Sequence, residues 1–531
     1  MNFRSGPAKQ IFLQGTIVLT LAALIIKIMS AAYRIPYQNI VGDIGFYIYQ
    51  QVYPFYGIAI MLATTGFPVI ISKMIIEFDG KENQLVNSKI LRISFLFLIT
   101  ICTLFFLVLY LGAGRISFIM GDKELEPLVK IISFSFLLVP FISLLRGYFQ
   151  GKENMLPTAL SQVVEQGIRV ITILFFSYIL ITNGYGLYEA GGGALFGSLT
   201  GGLTAAVILF IFFSREKKML TVGNEEAKRN LKTTAIISYL LKHSLTICIT
   251  SLMIIFIQLV DAMHLYSELL QGGIEANAAK ALKGVYDRGQ PLIQLGTVVA
   301  TSFSLSLVPL IAFARKNNNE TVIASKIKMS LKICTVVGIG ASIGLLMIME
   351  PVNIMLFRNK LGTEVLSILS ISVIFTSFSL TLSAILQGLH HTVFPAVTVV
   401  LGTIVKLALN IYLVPQYSTS GAAYSTVLAY LFIAVLNAGY LKSKGYLLLS
   451  VRDVIKVIFA TLIMIVGLYL FLEGFEQIWD GKNRLLATTA SLSGALFGGT
   501  IYLIAILKLS IFTQKELEAF PGGKKLGAFL K

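Results

Sequence analysis

Charge is scarce in this sequence. Of 531 residues, 13% are Asp, Glu, Lys or Arg, about half of the roughly 25% usual in soluble domains. A soluble chain of this length carries polar linkers between its domains, and here apolar runs recur from end to end. Cysteine is scarcer still. The three present, Cys102, Cys248 and Cys334, exclude a disulfide-stapled secreted scaffold, and each sits in an apolar run where it packs as a small hydrophobe. No Walker A, HExxH, GxSxG or EF-hand pattern occurs, so the corresponding phosphate, zinc, acyl and calcium chemistries have no support. The pair His390-His391 has no Cys or acid beside it and reads as a solvated turn, not a metal site. No cofactor is implied.

What is abundant is apolar surface: 56% of residues are hydrophobic and the mean hydropathy is +0.81. A helix needs about 20 mostly apolar residues to cross a hydrocarbon core of roughly 30 Å. Fourteen stretches meet that length, among them 11–33, 44–72, 157–182, 233–264, 286–312, 394–414 and 421–441. They are too long for barrel strands, and backbone in lipid must satisfy its own hydrogen bonds, so the expectation is an all-α polytopic membrane protein. The first stretch is too long for the apolar core of a signal peptide, and Lys27 interrupts it. With the N-terminus inside, Lys and Arg divide 29 to 11 in favour of the inner segments when span ends are counted with the segment they adjoin. This bias places both termini in the cytoplasm and the chain in the plasma membrane. The net charge of +17 is then topological, with attraction to anionic lipid heads and no nucleic-acid partner.

The two halves echo each other. Gln150-Gly151 with Pro157 matches Gln387-Gly388 with Pro395. Tyr49 to Pro54, followed by Pro68 and Lys73, matches Tyr286 to Pro291, followed by Pro309 and Arg315. Gly191-Gly192-Gly193-Ala194 loosely matches Gly421-Ala422-Ala423-Tyr424, and the first of these runs reads as close helix packing. The layout expected is an N-lobe over 1–214, a basic linker over 215–232, a C-lobe over 233–442, and an appended helix pair with a tail over 443–531. Six spans per lobe give both lobes the same orientation, about an axis along the membrane normal. A pseudo-symmetric pair of bundles suits alternating access.

Ionised groups at the bilayer centre cost about 2.5–3.5 kcal/mol on insertion scales, so those retained face a cavity or a partner. Lys27 and Arg34 lie seven residues apart, on one helical face, and Lys27 alone is also explained by snorkelling. Glu165 and Arg169, with Gln162 and Gln166 nearby, have the i, i+4 order of a pair within one helix. That pair reads either as a structural salt bridge or as part of a wet cavity. Lys406 is deep in its span, one turn before Asn410, and needs a partner from another helix or water. Tyr47, Tyr49, Gln50, Gln51, Tyr53 and Tyr56 crowd one span with hydrogen-bonding groups, as a sugar cleft or an interfacial belt would.

These residues resemble the polysaccharide-flippase branch of the multidrug/oligosaccharidyl-lipid/polysaccharide (MOP) exporter superfamily, and within it the SpoVB/YtgP group related to MurJ-like flippases. The pieces that carry the resemblance are Arg34-Ile35-Pro36 with Gly42-Asp43, Gly66-Phe67-Pro68, Gln150-Gly151, Ser161-Gln162 with Glu165-Gln166 and Arg169, Tyr286 with Arg288-Gly289-Gln290-Pro291, and Lys406, Asn410, Pro415 and Thr426. The resemblance implies two lobes around a cationic cavity, plus two helices that groove a lipid tail. By position it implies substrate-binding roles for Lys27, Arg34, Asp43, Asp287 and Arg288, with Arg34 and Arg288 expected to hold a pyrophosphate together, and Gln50, Gln51, Glu165 and Arg169 are expected to line the same path. It implies that Asp261, Lys406, Asn410 and Thr426 stand where some relatives surround a sodium ion. The Lys406 ammonium would repel sodium there, so Lys406 is expected to pair with an acid, Asp261 first, in place of that ion, or else to bond helix-end carbonyls. MurJ-like flippases have further arginines where this sequence has Tyr and Gln, which leaves the glycan open.

The leading expectation is a monomeric, non-enzymatic flippase for an undecaprenyl-linked cell-wall or polysaccharide precursor, active in vegetative growth or sporulation beside cell-wall synthesis proteins. The rivals are a multidrug/cation antiporter of the same fold, which would favour acids in its cavity, and a membrane-embedded transferase relying on Asp261 and His264. A structural scaffold leaves the buried charges unexplained. The topology is testable by single-cysteine labelling: Asn183→Cys and Tyr417→Cys are expected to react with an impermeant maleimide in intact cells, and Asn224→Cys only after permeabilisation. Reaction of Asn224→Cys in intact cells would reverse the orientation.

Overall fold

The computed structural model describes residues 7–78, 84–217, 231–298, 300–315 in part, 318–446, 449–476 and 483–517. Residues 218–230 of the expected basic linker, with Asn224, and the tail from 518 lie outside the described residues, as does Pro309. Every regular element among the described residues is helical. Eleven stretches there are long and apolar enough to cross a membrane. Against the fourteen expected, two of these stretches each join a pair of expected spans: Leu21–Glu77 has 57 residues and Val393–Ser443 has 51. The eighth expected span, 286–312, is described only in part beyond Val298.

The joined pairs are divided by backbone. α1 (Pro7–Ala32) runs on through Tyr33, which keeps helical angles, into α2 (Arg34–Met61). Pro36 has no N–H to give the Ala32 carbonyl, yet Tyr33 N donates to Met29 O and Tyr37 N to Tyr33 O, both at 3.1 Å, so the helix survives. It breaks instead at Gly42, whose φ of 70° and ψ of −173° suit a residue without Cβ. The first helical run therefore extends past 33, because Gly42 and not Pro36 is where the backbone turns.

The described residues form two compact units, 1–287 and 288–531. In the first, α2 passes through a π turn, Leu62–Gly66, into α3 (Phe67–Glu77). There the Thr64 and Thr65 hydroxyls donate to the Ile60 and Met61 carbonyls one turn back, and the Phe67 N–H reaches Leu62 O, so with no N–H on Pro68 the Ala63 carbonyl is left free. α4 (Gln84–Ile119), α5 (Glu126–Ser133) and α6 (Ser135–Gly151) follow, then α7 (Leu156–Thr182) and α8 (Leu187–Lys217). The unit closes with α9 (Thr233–Ser251), α10 (Met253–Val260), a π turn over Asp261–Leu265, α11 (Tyr266–Gln271) and α12 (Ala276–Asp287). α4 is dry on its outside, with Leu104, Val108 and Leu111 exposed, as a lipid-facing helix must be.

Small residues set the helix spacing. Gly193, Gly197 and Gly201 form a ladder on α8, and a Cβ at each would fall 2.7–2.9 Å from α7 atoms, including the Arg169 and Glu165 carbonyls. Gly147 and Gly151 seat α6 on Ile71 and Ile75 of α3. In the second unit Gly388 meets Ile311 in the same way, so the repeated Gln-Gly motif makes the same kind of contact twice.

The second unit comprises α13 (Gly289–Gly296), α14 (Glu320–Met347), α15 (Met349–Phe357), α16 (Thr363–Gly388), α17 (Val393–Ser443), α18 (Val451–Glu476), α19 (Arg484–Lys508) and α20 (Gln514–Leu517). Its core joins Ile323, Ile327 and Leu331 to Leu382, Ile385, Leu386 and Leu441. α17 is folded at Ser418 (φ 53°, ψ −137°), so its two halves lie against each other. α18 packs on α14, and α19 packs on α18 and α15. Overpacking a tight contact costs about 1–3 kcal/mol. Gly201→Ala is therefore expected to lower thermal stability in detergent by that amount. Gly439→Ala, with nothing within 4 Å of the added methyl, is expected to leave it unchanged or raise it by up to about 1 kcal/mol.

Candidate substrate-binding site

The polar segment of α2 is buried among its own tyrosines. Tyr33 and Tyr49 share a hydroxyl hydrogen bond of 2.9 Å, and Tyr37, Tyr49, Tyr53 and Tyr56 follow one another at centroid distances of 4.9–6.1 Å. Two arginines enter this cluster from different helices. The Arg34 guanidinium lies 4.5 Å from the Tyr53 ring and 5.9 Å from the Tyr33 ring. The Arg169 guanidinium lies 4.6 Å from Tyr56, 5.5 Å from Tyr33 and 5.8 Å from Tyr53. Tyr33 and Tyr53 thus stand between two cations, and their ring faces attract both.

The two arginines differ in how they are satisfied. Arg169 donates to Tyr33 Oη at 3.1 Å, to Gln166 Oε1 at 3.1 Å and to Tyr56 Oη at 3.4 Å, while its Nε has no partner. Arg34 is fully buried, and none of its three guanidinium nitrogens is in hydrogen-bonding geometry with an acceptor. Gln51 is fully buried with both amide atoms open; Gln50 Oε1 and Gln166 Nε2 are open too. Buried polar groups are ordinarily paired. A cation left this way costs several kcal/mol unless a ligand or water completes it. The arrangement fits an anion carrying hydroxyl groups.

The Glu165–Arg169 pair expected within one helix does not form. Glu165 turns to α6, where Arg146 Nη2 donates to its Oε2 at 2.7 Å, and Arg146 also donates to Ser161 Oγ and to Ala63 O at 3.2 Å. The reason is the π turn, which frees the Ala63 carbonyl, together with a fully buried Arg146 that needs an acid. Arg146, one turn before Gln150 of the repeated Gln-Gly motif, is the partner missed in sequence. With Glu165 engaged elsewhere, Arg169 is left to the tyrosines.

Lys27 is half-buried on α1. Asp43, half-buried beyond the Gly42 corner, accepts from Gln38 Nε2 at 2.8 Å. Asp287 is buried and takes both oxygens to Lys283 Nζ at 2.7 Å, one turn earlier on α12. Lys283 was not singled out in sequence, although its i, i+4 spacing to Asp287 was readable. Asp261 sits in the second π turn and accepts from Tyr286 Oη at 2.7 Å.

In the second unit, Arg288 is fully buried and lies 5.0 Å from the Phe357 ring, with Nη1 donating to Asn359 Oδ1 at 2.8 Å and to Asn353 Oδ1 at 3.3 Å. It binds the end of α15. Lys406, Asn410 and Thr426 do come together, across the Ser418 fold. Lys406 Nζ donates to Thr426 Oγ1 at 2.8 Å, Ala422 O at 2.9 Å, and Asn410 Oδ1 and Ser425 Oγ at 3.0 Å. Asp261, the acid expected to pair with Lys406, belongs to the other unit.

Lipid-exposed apolar helices with an occluded cationic cage among them define a multi-pass membrane transport protein. The chain matches the family described as "Polysaccharide biosynthesis protein" over residues 12–315 and belongs to it, within the MurJ-like group of the MOP superfamily. It is 46% identical to the uncharacterized membrane protein YabM of Bacillus subtilis over 98% of this chain and 96% of that protein. It is 28% identical to the lipid II flippase MurJ of the same organism over 98% of each. Among solved structures, the fold is similar to that of a lipid II flippase MurJ in an inward closed conformation (TM-score 0.65, 16% identity, 95% of this chain and 99% of that one). It is also similar to an inward-facing MATE transporter (TM-score 0.64, 14% identity, 81% and 98%).

Removing one member of a buried ion pair costs about 3–5 kcal/mol, because the other charge is stranded. Arg146→Met is expected to destabilise the protein by that amount in detergent melting. Arg146→Met with Glu165→Gln is expected to recover most of the loss.

Proposed function

We propose that this protein is a flippase that carries an undecaprenyl-linked cell-wall or polysaccharide precursor, lipid II-like, across the cytoplasmic membrane by alternating access. The observation that carries the reading is Arg34, fully buried with no acceptor in full hydrogen-bonding geometry at any guanidinium nitrogen and only the Tyr33 hydroxyl beside it, sharing Tyr33 and Tyr53 with Arg169. A pyrophosphate takes two oxygens to the fork of one arginine, a geometry that a lysine point charge does not supply. The open amides of Gln50, Gln51 and Gln166 suit sugar hydroxyls, since each amide both donates and accepts. The polyprenyl tail stays in lipid, and no covalent bond is made. Kinship along the full length to a lipid II flippase supports the same substrate class. Two cations in the cage oppose a cationic drug, so the antiporter reading is the weaker one.

Lys27, Asp43, Glu165, Asp287 and Arg288 complete the proposed substrate path, Glu165 by holding Arg146 and α7 in place. Lys406 with its four oxygens serves as a tethered cation between the halves of α17. The cycle then runs without sodium at that place, driven by protons or membrane potential.

Depletion of the protein, alone and with its paralogues, is expected to accumulate a lipid-linked precursor on the inner leaflet. The wild-type chain should clear it, Arg34→Ala and Arg169→Ala should not, and Arg34→Lys should clear it in part. Each lost charge-assisted hydrogen bond is worth about 1.5–3 kcal/mol, or at least tenfold in transport rate. In sealed vesicles at fixed potential and pH, replacing sodium by choline should leave transport intact. Normal clearance by both alanine variants would remove the arginine cage from the mechanism.

A further inference from the structure

One cluster of buried charge in the first unit belongs to no part of the cage. Asp122 lies in the turn between α4 and α5, with its side chain 4% exposed. Its Oδ2 accepts from Tyr188 Oη at 2.6 Å and Tyr47 Oη at 3.0 Å, and its Oδ1 accepts from Glu124 N at 3.2 Å. The counter-charge comes from α12: Lys280 Nζ stands 3.4 Å from Asp122 Oδ2 and donates to Tyr188 Oη at 2.6 Å. The same ammonium lies 5.1 Å from the Tyr188 ring and 6.0 Å from the ring of Tyr266, which itself packs 5.1 Å from Tyr47. Asp122, Tyr47 and Tyr188 come from residues 1–217; Lys280 and Tyr266 come from the chain beyond 230.

The two halves of α12 are held differently. Toward its C-terminal end, Gly284 abuts the Asp43 backbone so closely that even a Cβ would collide with the carbonyl. One turn earlier, Lys280 is held by its ammonium alone, through Asp122, the Tyr188 hydroxyl and the faces of Tyr188 and Tyr266, a contact that can part when water reaches the ammonium, whereas a close-packed backbone seam cannot. α12 starts at this end, with Glu275 accepting from the Asn277 and Ala278 N–H groups at 3.1 Å. Those two hydrogen bonds hold the Glu275 carboxyl below its ordinary value, so the helix start stays capped and rigid at neutral pH. Tyr47 lies on α2 two turns before the cage residues Tyr53 and Tyr56, so whatever parts at Lys280 opens toward the arginines.

We propose that Asp122, Tyr188 and Lys280 form a latch that closes this end of the bundle over the arginine and tyrosine cage, and that the end opens when Lys280 leaves Asp122. The latch rests on the alternating-access reading, and in the orientation proposed above it is the outer one. Lys280 is its moving part. Asp122 keeps Tyr47, Tyr188 and the Glu124 N–H when Lys280 departs, so the carboxylate is never stranded.

The test reads access without substrate. Gln51→Cys, in a chain whose three native cysteines are replaced, is exposed to an impermeant maleimide in right-side-out vesicles. Lys280→Met and Asp122→Asn are each expected to raise the labelling rate about tenfold, Tyr188→Phe about threefold, and Lys280→Arg to leave it near the parent value. Joining Tyr188→Cys to Lys280→Cys by oxidation is expected to suppress labelling, and reduction to restore it. The latch is overturned if Lys280→Met and Tyr188→Phe, both melting like the parent, label at the parent rate, or if the cross-link leaves labelling unchanged. A latch that responds as expected in a protein that moves no lipid-linked glycan would overturn the functional reading and keep the latch.

Discussion

A charge in a medium of low dielectric must be answered by something close to it, and this requirement organises the structure. The chain retains few ionised groups within its apolar helices, and most of those described are answered by a neighbour at short range. Glu165 has Arg146 at 2.7 Å, Asp287 has Lys283 at 2.7 Å, and Lys406 has four oxygens within 3.0 Å. Against that background Arg34 stands out. None of its nitrogens is in full hydrogen-bonding geometry, and it rests against the Tyr33 and Tyr53 rings and the Tyr33 hydroxyl, with the Asp287 carboxylate within its field. A group whose burial costs several kcal/mol is retained where something outside the chain completes it.

The helices are placed so that this incomplete group is held still. The glycine ladder on α8 lets α7 come close enough to set Arg169 among the tyrosines of α2. The π turn below those tyrosines releases a carbonyl that Arg146 takes, and Arg146 in turn removes Glu165 from Arg169. One irregular turn thereby decides which cation is neutralised structurally and which faces the cage. The corner at Gly42 serves the same end: it returns the later part of α2 past the joint, so that Tyr49 meets Tyr33 and Tyr37 while Arg34 and Tyr33 remain on the continuous helix before the corner.

The membrane class, the helical architecture and the family were legible in sequence because they depend on quantities summed over many residues: apolar length, sparse charge and motifs repeated in order. Tyr47 to Tyr56 and the two arginines could be singled out for the same reason, since polar groups in apolar runs are conspicuous; Tyr33 and Tyr37, at the joint between α1 and α2, were not. The pairing of the charges could not be read in the same way. The i, i+4 rule proposes Glu165 with Arg169 because it sees one helix, whereas a buried arginine on α6 competes for the same carboxylate. Asp122, Tyr188 and Lys280 drew no notice, because near span ends such residues look like ordinary headgroup-level side chains until the fold brings them together.

The sequence by itself determined that this chain lives in a membrane, crosses it many times as helices, and carries a cationic, tyrosine-rich segment early in its length. Hydrophobic burial and backbone satisfaction in lipid allow no other outcome for such a composition. Tertiary structure alone decided which acid meets which base, that Lys406 is answered across the Ser418 fold, and that Arg34 is left open. Charge pairing depends on distances of 3–4 Å between residues far apart in the chain, and a local pattern carries no information about them.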